Sequence, residues 1–386
     1  MGKDNKSRRV SGNIGKKLLY LGYLIIITFL GLEIALRIFN PFHLRLRGDH
    51  ILLPVGQTTT IVNRINPKLD SLITNTRNAL GLRGPELPTG ADRYLTIITV
   101  GGSTTECRFL SDDRTWPFLT GKMLEKNFHP LWLNNAGLDG HSTFGHQVLL
   151  NDYLLKLRPR VITFLVGIND VENDQPTFHD KLSTRGAYSD FRHFIFENSE
   201  VLNLLLNLSR GWKAQRLNNT TQKMMVMDSL QQLRLSPGDV DKRIRAQQAF
   251  LPNYRRRIDQ LIDSCTNHGI LPVLITQPNL FGVGRDSATG TNLELFPLEK
   301  DLNGGLLWQM LEIYNGVTRQ EARSRSVPLI DLARLMPKNS LYFYDGSHFT
   351  NAGAEKVASI VSRELEPVLA ARFPGFLIAT GPAVQP

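Results

Sequence analysis

Short apolar runs alternate with amphipathic stretches through most of the chain. The short run Leu95–Val100 is mostly apolar and leads into Gly-Gly, as expected of a buried parallel strand. Apolar residues recur at steps of three and four over 251–265 and 357–368, which predicts helices. Strands that alternate with helices predict a three-layer α/β/α domain around a five-stranded parallel sheet. The other four strands are predicted at Leu131–Asn134, Val161–Val166, Leu271–Thr276 and Val327–Ile330.

The most apolar segment precedes this domain. Leu18–Leu32 carries no charge, and apolar character continues, interrupted by two charges, to Phe39. As one helix, residues 18–39 would be about 33 Å long, enough to cross a bilayer. Residues 1–17 hold six Lys or Arg and one Asp, and such basic segments stay in the cytoplasm. We therefore expect a cytoplasmic tail over 1–17, one transmembrane anchor over 18–39 and the rest outside the cytoplasm. The alternatives are a cleaved signal peptide and a buried core helix.

Two segments lack the strand–helix rhythm. Residues 40–93 carry several Pro and Gly and are interpreted as a stalk that packs irregularly against the domain. Residues 171–245 are far longer than an ordinary strand-to-helix connection and are interpreted as an insertion that covers the site. That insertion has one helical piece around Val201–Leu208. The domain itself is predicted over 94–372, and residues 373–386 form a C-terminal tail.

Charge and cysteine content exclude several classes. The net charge is +10, but residues 1–17 supply +5 of it and the other +5 is spread over 369 residues. A surface this mildly basic does not indicate nucleic-acid binding, and the run Arg255-Arg256-Arg257 is interpreted as a solvated helix face. Cys107 and Cys265 have neither CxxC nor metal-ligand spacing, so two buried thiols are favoured over a single bridge.

Four motifs carry candidate chemistry, and three of them directly follow predicted strands, where ligands bind in parallel sheets. Ser103 in Gly101-Gly102-Ser103 would lie with an exposed hydroxyl at the start of the next helix, or serve only as its N-cap. A phosphate-binding loop is the third alternative, although the pattern G-x-x-x-x-G-K-[ST] is absent. Glycine in Asn135–Ser142 can offer an N–H to an oxyanion, because no side chain blocks the approach. The amide of Asn169 can donate to a developing negative charge or merely close an Asx-turn.

The fourth motif is Asp345-Gly346-Ser347-His348, just before a helix expected to begin at Thr350 or Asn351. The three-residue spacing lets the Asp345 carboxylate reach the imidazole of His348 and fix its tautomer. His348 can then take a proton from a serine hydroxyl. The alternative is a capped turn with a surface histidine. No set of His, Asp and Glu has metal-ligand spacing, so neither a metal nor another cofactor is expected.

In this order the four motifs resemble those of the SGNH (GDSL-like) hydrolase family, over roughly 94–372 with 171–245 unmatched. The resemblance implies a flavodoxin-like SGNH fold. It also implies a nucleophile, a general base with its orienting carboxylate, and an oxyanion hole made of two N–H groups and one side-chain amide. These roles fall on Ser103, on His348 with Asp345, and on Ser103, Gly140 and Asn169. The family signature Gly-Asp-Ser is Gly-Gly-Ser here, with Gly102 in place of an Asp that is not a triad member.

The Gly-Gly-Ser form, the N-terminal anchor and the segment Asn78–Glu86 look like membrane-anchored bacterial members of the family. Such members are often linked to modification of cell-surface polysaccharides. The resemblance therefore implies a single-pass protein of the bacterial inner membrane with a periplasmic catalytic domain, acting on an acyl ester. Water as acceptor gives an esterase or deacylase, and a sugar hydroxyl gives an O-acyltransferase. A non-catalytic glycan-binding or scaffold protein on the same fold is the alternative from another class.

Overall fold

The computed structural model describes residues 4–39, 46–47, 50–51, 53, 55–64, 66–177, 180, 198–205, 208 and 231–378. The chain divides into two compact units. The smaller unit comprises residues 1–54 and 183–220, and the larger comprises 55–182 and 221–386.

A five-stranded parallel sheet forms the centre of the larger unit. The strands described in the whole chain are β1 (Leu46–Arg47), β2 (His50–Ile51), β3 (Gln57–Val62), β4 (Leu72–Arg77), β5 (Leu95–Gly101), β6 (Leu131–Asn135), β7 (Val161–Val166), β8 (Leu271–Thr276), β9 (Pro297–Glu299), β10 (Leu302–Asn303) and β11 (Leu329–Ile330). The central sheet has the order β11-β8-β7-β5-β6, and every neighbouring pair is parallel. The predicted α/β fold is confirmed, with a last strand two residues shorter than expected.

Helices cover both faces of this sheet, which is why its strands are apolar without alternation. The smaller unit contains α1 (Asp4–Ile38). In the larger unit, the described residues form α2 (Ser103–Glu106), α3 (Trp116–Leu124), α4 (Thr143–Leu149), α5 (Leu155–Leu157), α6 (Pro237–Gln247), α7 (Leu251–Thr266), α8 (Gly304–Ser324), α9 (Leu332–Leu335) and α10 (Asn351–Arg372). A π-turn, Leu150–Leu154, joins α4 to α5. Helices α3 and α10 pack together on one face, and α4 and α8 pack on α7 at the other. Helix α10 begins at Asn351, one of the two predicted starts, and Thr350 caps it by accepting from the N–H of Gly353.

The segment before the sheet is more ordered than the irregular stalk expected over 40–93. Strands β3 and β4 form an antiparallel hairpin from Gln57 to Arg77, and residues 55–93 belong to the larger unit. Ile73 and Leu82 are buried, and Arg83 pairs through its backbone with Asn135 at the end of β6. Arg77 and Arg83 hold this segment in place through hydrogen bonds to Glu106, which lies 29 and 23 positions away. The sequence of the segment alone therefore shows no periodicity from which its burial could be predicted.

The smaller unit contains α1. By length and composition, its part from Lys16 to Ile38 could cross a membrane as an anchor or serve as a signal sequence. Residues 200–205 are helical, within the helical piece expected around Val201–Leu208. Residues 206 and 207, much of the insertion and residues 379–386 of the C-terminal tail lie outside the described residues. The predicted division into tail, anchor, domain and insertion stays a prediction.

Candidate active site

Ser103 lies where β5 ends and α2 begins. Gly102 is extended, with φ −81° and ψ −151°, and the N–H groups of Thr105 and Glu106 donate to its carbonyl at 3.0 and 2.9 Å. The turn from strand to helix thus places Ser103 at the N-terminus of α2, at the carboxyl edge of the sheet. Its side chain is half-buried.

His348 and Asp345 reach Ser103 from the loop before α10. The Nε2 atom of His348 lies 2.7 Å from Ser103 Oγ, and its Nδ1 lies 2.7 Å from Asp345 Oδ2. The other carboxylate oxygen of Asp345 accepts from the N–H groups of Ser347 and His348 at 2.9 and 2.8 Å. The ring of Tyr344 stacks on the imidazole, with centroids 5.4 Å apart and planes at 10°. These contacts leave the imidazole little freedom to rotate.

The charges of Asp345 and His348 shift each other's ionisation. Burial alone would raise the pKa of Asp345, but His348 and the hydrogen bonds it receives hold the pKa below the ordinary value. Burial alone would lower the pKa of His348, yet the charge and hydrogen bond of Asp345 raise it above 6.5. An ionised carboxylate can only accept, so Nδ1 of His348 carries the proton that it shares with Asp345. Nε2 of the neutral imidazole is then free to accept from the Ser103 hydroxyl.

Gly140 and Asn169 lie at the ends of the strands on either side of β5. Gly140 has a left-handed φ of 70°. The Nδ2 atom of Asn169 donates to the carbonyl of His141 at 2.9 Å. It also lies against Gly102, where an added Cβ would be 2.5 Å from Asn169 Nδ2. The loops that carry Ser103, Gly140 and Asn169 therefore meet at one edge of the sheet.

Comparison with known proteins identifies the family. The GDSL-like Lipase/Acylhydrolase family model matches residues 98–356, more than half of the chain. The chain belongs to the GDSL-like lipase/acylhydrolase family. The match includes all five candidate residues of the site: Ser103, Gly140, Asn169, Asp345 and His348. No curated protein matches the chain.

Several solved structures resemble this GDSL-like chain at low identity. The acetylxylan esterase Axe2 of Geobacillus stearothermophilus is 13% identical over 70% of this chain and 93% of its own, with a TM-score of 0.40. LAE5, an alpha/beta hydrolase from the metagenome of Lake Arreo in Spain, is 14% identical over 70% and 94%, with a TM-score of 0.38. A lipolytic protein of the G-D-S-L family from Desulfitobacterium hafniense is 10% identical over 70% and 99%, with a TM-score of 0.38.

Arg83 supports the loop that carries Ser103, a contact that the sequence motif Asn78–Glu86 did not reveal. Its side chain is 1% exposed, and it donates to the carbonyls of Glu106 and Cys107 at 2.7 and 2.8 Å. Its Nε also pairs with Asp112 at 2.6 Å. The carbonyls it binds are those at the C-terminal end of α2, so Arg83 satisfies acceptors that a helix end leaves free.

Arg257 supports the Asn169 loop, and its interpretation as part of a solvated helix face was wrong. Its side chain is 3% exposed, donates to Thr143 Oγ1 at 2.7 Å and lies 3.4 Å from Asp170. Thr143 in turn donates to Asp170 through both its hydroxyl and its N–H. One signal was present in the sequence, because position 257 lies between Tyr254 and Leu261 on the apolar face of α7.

A narrow crevice adjoins the side chains of Ser103 and His348. Its volume of about 10 Å³ holds one water-sized group. Burial raises the pKa of Cys107 and Cys265 to about 12, and both thiols are free, which confirms the favoured interpretation. Within the described parts of the chain, no group of three or more His, Cys, Asp or Glu could hold a metal ion. The crevice is lined by Ser103, Thr104, Cys107, Phe109, Leu110, Tyr344, His348 and Phe349.

Proposed function

We propose that this chain is a serine ester hydrolase in which Ser103 attacks an acyl ester with His348 as general base. The observation that carries the proposal is the continuous chain of two 2.7 Å contacts from Ser103 Oγ through the imidazole to Asp345. A serine hydroxyl is a poor nucleophile unless an adjacent base removes its proton, and a base works best when a third group orients it. Both conditions are met here, because His348 contacts Ser103 and Asp345 orients His348.

The reaction follows from the protonation states. Nε2 of His348 takes the hydroxyl proton as Ser103 Oγ bonds to the ester carbonyl carbon, and the carbonyl electrons move onto its oxygen. His348 then returns the proton to the leaving alcohol as the ester C–O bond breaks, which leaves an acyl-serine. Water, deprotonated by the same nitrogen, attacks the acyl carbon. The bond between that carbon and Ser103 Oγ then breaks, the carboxylic acid leaves, and His348 returns the proton to Ser103 Oγ. Asp345 stays ionised throughout and stabilises the imidazolium.

The oxyanion is assigned to three donors: the N–H groups of Ser103 and Gly140, and Nδ2 of Asn169. The N–H of Ser103 is the first of α2, where no helical acceptor is present. Asn169 has two amide protons and gives one to the His141 carbonyl, which leaves one for the substrate. Removing one such donor typically lowers kcat by about 10²–10³-fold.

The location and acceptor are part of the same proposal. Residues 18–39 would anchor the protein in the bacterial inner membrane, and the basic tail would keep the catalytic domain in the periplasm. There an acyl ester of a cell-surface polysaccharide is a suitable substrate. Because the crevice holds one water-sized group, we expect a short acyl chain. A sugar hydroxyl in place of water would make the same site an O-acyltransferase.

A fluorophosphonate probe tests the proposal, because it labels only an activated serine. The parent protein should be labelled, Ser103→Ala should not, and Ser359→Ala is the matched control because Ser359 is exposed on α10. Labelling of folded Ser103→Ala, or no labelling of the folded parent, would favour the non-catalytic alternative. Adding a glycan acceptor to p-nitrophenyl acetate would then distinguish transfer to sugar from release of acetate.

A further inference from the structure

Glu33 is a carboxylate within an otherwise apolar stretch of α1. Its side chain is only 13% exposed, and Arg37 Nε donates to it at 2.9 Å. Charged side chains inside membrane helices are costly and are retained where partners compensate them. We therefore expect Glu33 to have hydrogen-bond partners other than Arg37.

Those partners come from residues 198–201, within the same compact unit. Ser199 Oγ donates to Glu33 at 2.9 Å, and the N–H groups of Glu200 and Val201 donate at 3.0 and 3.2 Å. Arg37 donates to the carbonyl of Asn198 at 2.5 Å. Glu33 thus accepts from the free N–H groups that begin the helical segment 200–205, a role that a capping residue fills elsewhere.

The position of Glu33 fixes the depth of this segment relative to α1. Glu33 precedes Ile38, the last residue of α1, by five positions, which at about 1.5 Å per residue is about 8 Å along the helix. Helices that lie in a membrane surface bury their apolar side about 5–10 Å into the boundary between headgroups and acyl chains. The first turn of the 200–205 segment therefore lies at the depth of an interfacial helix if α1 spans the bilayer.

The outward side of the segment is apolar. Leu205 and Leu208 are 55% and 56% exposed, comparable to Leu30 at 51% and Ile34 at 58% on α1. We propose that residues 198–205, together with Leu208, form a second membrane-contacting element, with these two leucines in the lipid of the membrane–water interface and Glu33 as its attachment to α1. The inference rests on the membrane anchor of the proposed function, but not on its serine chemistry.

Spin-label accessibility in the full chain tests this placement. The protein is reconstituted in vesicles of phosphatidylethanolamine and phosphatidylglycerol, with a nitroxide at Leu205→Cys, at Leu24→Cys within α1, or at Val283→Cys. Val283 is 79% exposed on the larger unit and serves as the apolar control, and both native thiols are buried. Collisions with oxygen report lipid, and collisions with a water-soluble nickel chelate report water. We expect positions 205 and 24 to favour oxygen and position 283 to favour nickel, with nickel collisions several-fold fewer at 205 than at 283.

The attachment is tested in the same vesicles. Glu33→Ala should raise nickel collisions at 205 several-fold and leave those at 24 unchanged, and Glu33→Gln, which keeps one acceptor oxygen, should lie between. A label at 205 that nickel reaches as readily as at 283, or that neither reagent reaches, overturns the inference while the anchor stands. Nickel access at 24 would overturn the anchor as well. Ser103→Ala should leave every value unchanged, which separates this result from any failure of the esterase proposal.

Discussion

The proposed site has a nucleophile half, the loop around Ser103, and an oxyanion half, the loop around Asn169. Each half is supported by a buried arginine, but the charges of the two arginines are neutralised differently. Arg83, behind the Ser103 helix, binds backbone carbonyls and one carboxylate, Asp112, whose side chain is 28% exposed. Arg257, behind the Asn169 loop, lies beside Asp170, which is 1% exposed. The nucleophile half thus rests on neutral acceptors with a partly solvated anion. The oxyanion half contains a fully buried carboxylate, Asp170, whose charge depends on Arg257, and Arg257 also lies 3.8 Å from the more exposed Asp174.

This difference predicts how each half fails. Asp112 also accepts from the N–H and the hydroxyl of Thr76, at 3.0 and 2.7 Å, so it keeps partners and water when Arg83 is lost. Asp170 has no such access to water, and burial raises its pKa to about 6 even though Arg257 lowers it. Breaking a buried pair costs more than the pair contributes, because the remaining charge stays buried.

The largest expected effect is confined to the nucleophile half. Ser103→Ala should lower p-nitrophenyl acetate turnover by a factor of the order of 10⁶, and His348→Ala by nearly as much, because neither group acts without the other. The double variant should be no slower than Ser103→Ala alone. Turnover by the detergent-solubilised full chain measures this, with circular dichroism as the fold control. Additive losses would mean that the two side chains do not act as a unit.

The second expected effect is on stability and separates the two arginines. Arg257→Met should lower the free energy of unfolding by about 3–5 kcal/mol at neutral pH, because it leaves Asp170 buried without a cation. The pKa of Asp170 is already raised above 3.8, so its contribution to stability is lost as pH rises from that value to about 6. Without Arg257 the folded-state pKa rises further, and the loss should continue above pH 6.

Arg83→Met is the matched control for that experiment. It leaves carbonyls, which do not titrate, and Asp112, which keeps Thr76 and water as partners. The cost of Arg83→Met should therefore vary with pH much less than that of Arg257→Met. Denaturant unfolding of both variants at several pH values measures the difference. A cost of Arg257→Met that is flat with pH would show that Asp170 does not carry the buried charge.

Asn169→Ala should have the next largest effect, and it belongs to the oxyanion half. The serine would still react, but loss of one oxyanion donor should lower kcat by about 10²–10³-fold. Fluorophosphonate labelling should persist, more slowly, whereas Ser103→Ala abolishes it. A change in KM with unchanged kcat would assign Asn169 to ground-state binding instead of the transition state.

Those parts of the molecule that depend on residues close together in the chain could be predicted from the sequence. Strands β5 and β7 are buried along their whole length and are therefore mostly apolar without alternation, so Leu95–Val100 and Val161–Val166 could be predicted from the sequence without any partner. The ends of parallel strands share one edge of a sheet, which is why motifs 66 positions apart, at Ser103 and Asn169, could be expected to meet.

The parts that were missed depend on partners far along the chain. Arginine is usually a surface residue, and Arg83 and Arg257 are buried because contacts with residues 23 to 114 positions away satisfy their guanidinium groups. Likewise, nothing near Glu33 indicates that it accepts hydrogen bonds from a segment 166 to 168 positions later. A charged residue on the apolar face of a helix, as at Arg257, is the one pattern that would have drawn attention to such a contact.

Gly102→Asp should lower activity, although it restores the family signature Gly-Asp-Ser. Position 102 precedes Ser103 and contacts Asn169, so the change affects both halves of the site. A Cβ at position 102 would lie 2.5 Å from Asn169 Nδ2 and 3.1 Å from the His141 carbonyl. Asn169 must then move, so we expect kcat to fall by about 10-fold to 10²-fold, less than the full loss of an oxyanion donor. In an Asn169→Ala background the same change should cost little more, because the closest contact is gone. Higher activity of Gly102→Asp than of the parent would contradict this account.

The smallest expected effect is the fall of activity at acidic pH, about tenfold per pH unit. It distinguishes ionisation of His348 in the nucleophile half from ionisation of Asp170 in the oxyanion half. His348 must be neutral to accept the Ser103 proton, and Asp345 raises its pKa above 6.5. Activity should therefore fall on acidification through a single ionisation above that value, with a limiting slope of one.

Asp170, whose pKa is raised to about 6, is the competing group, because its protonation would weaken the support of Asn169. Asp170→Asn removes that ionisation while leaving an oxygen to accept from Thr143. If the limb belongs to His348 it persists in this variant at the same pH. Its disappearance, in a variant that stays folded, would assign the acid limb to the oxyanion half and remove the main kinetic support for His348 as the base.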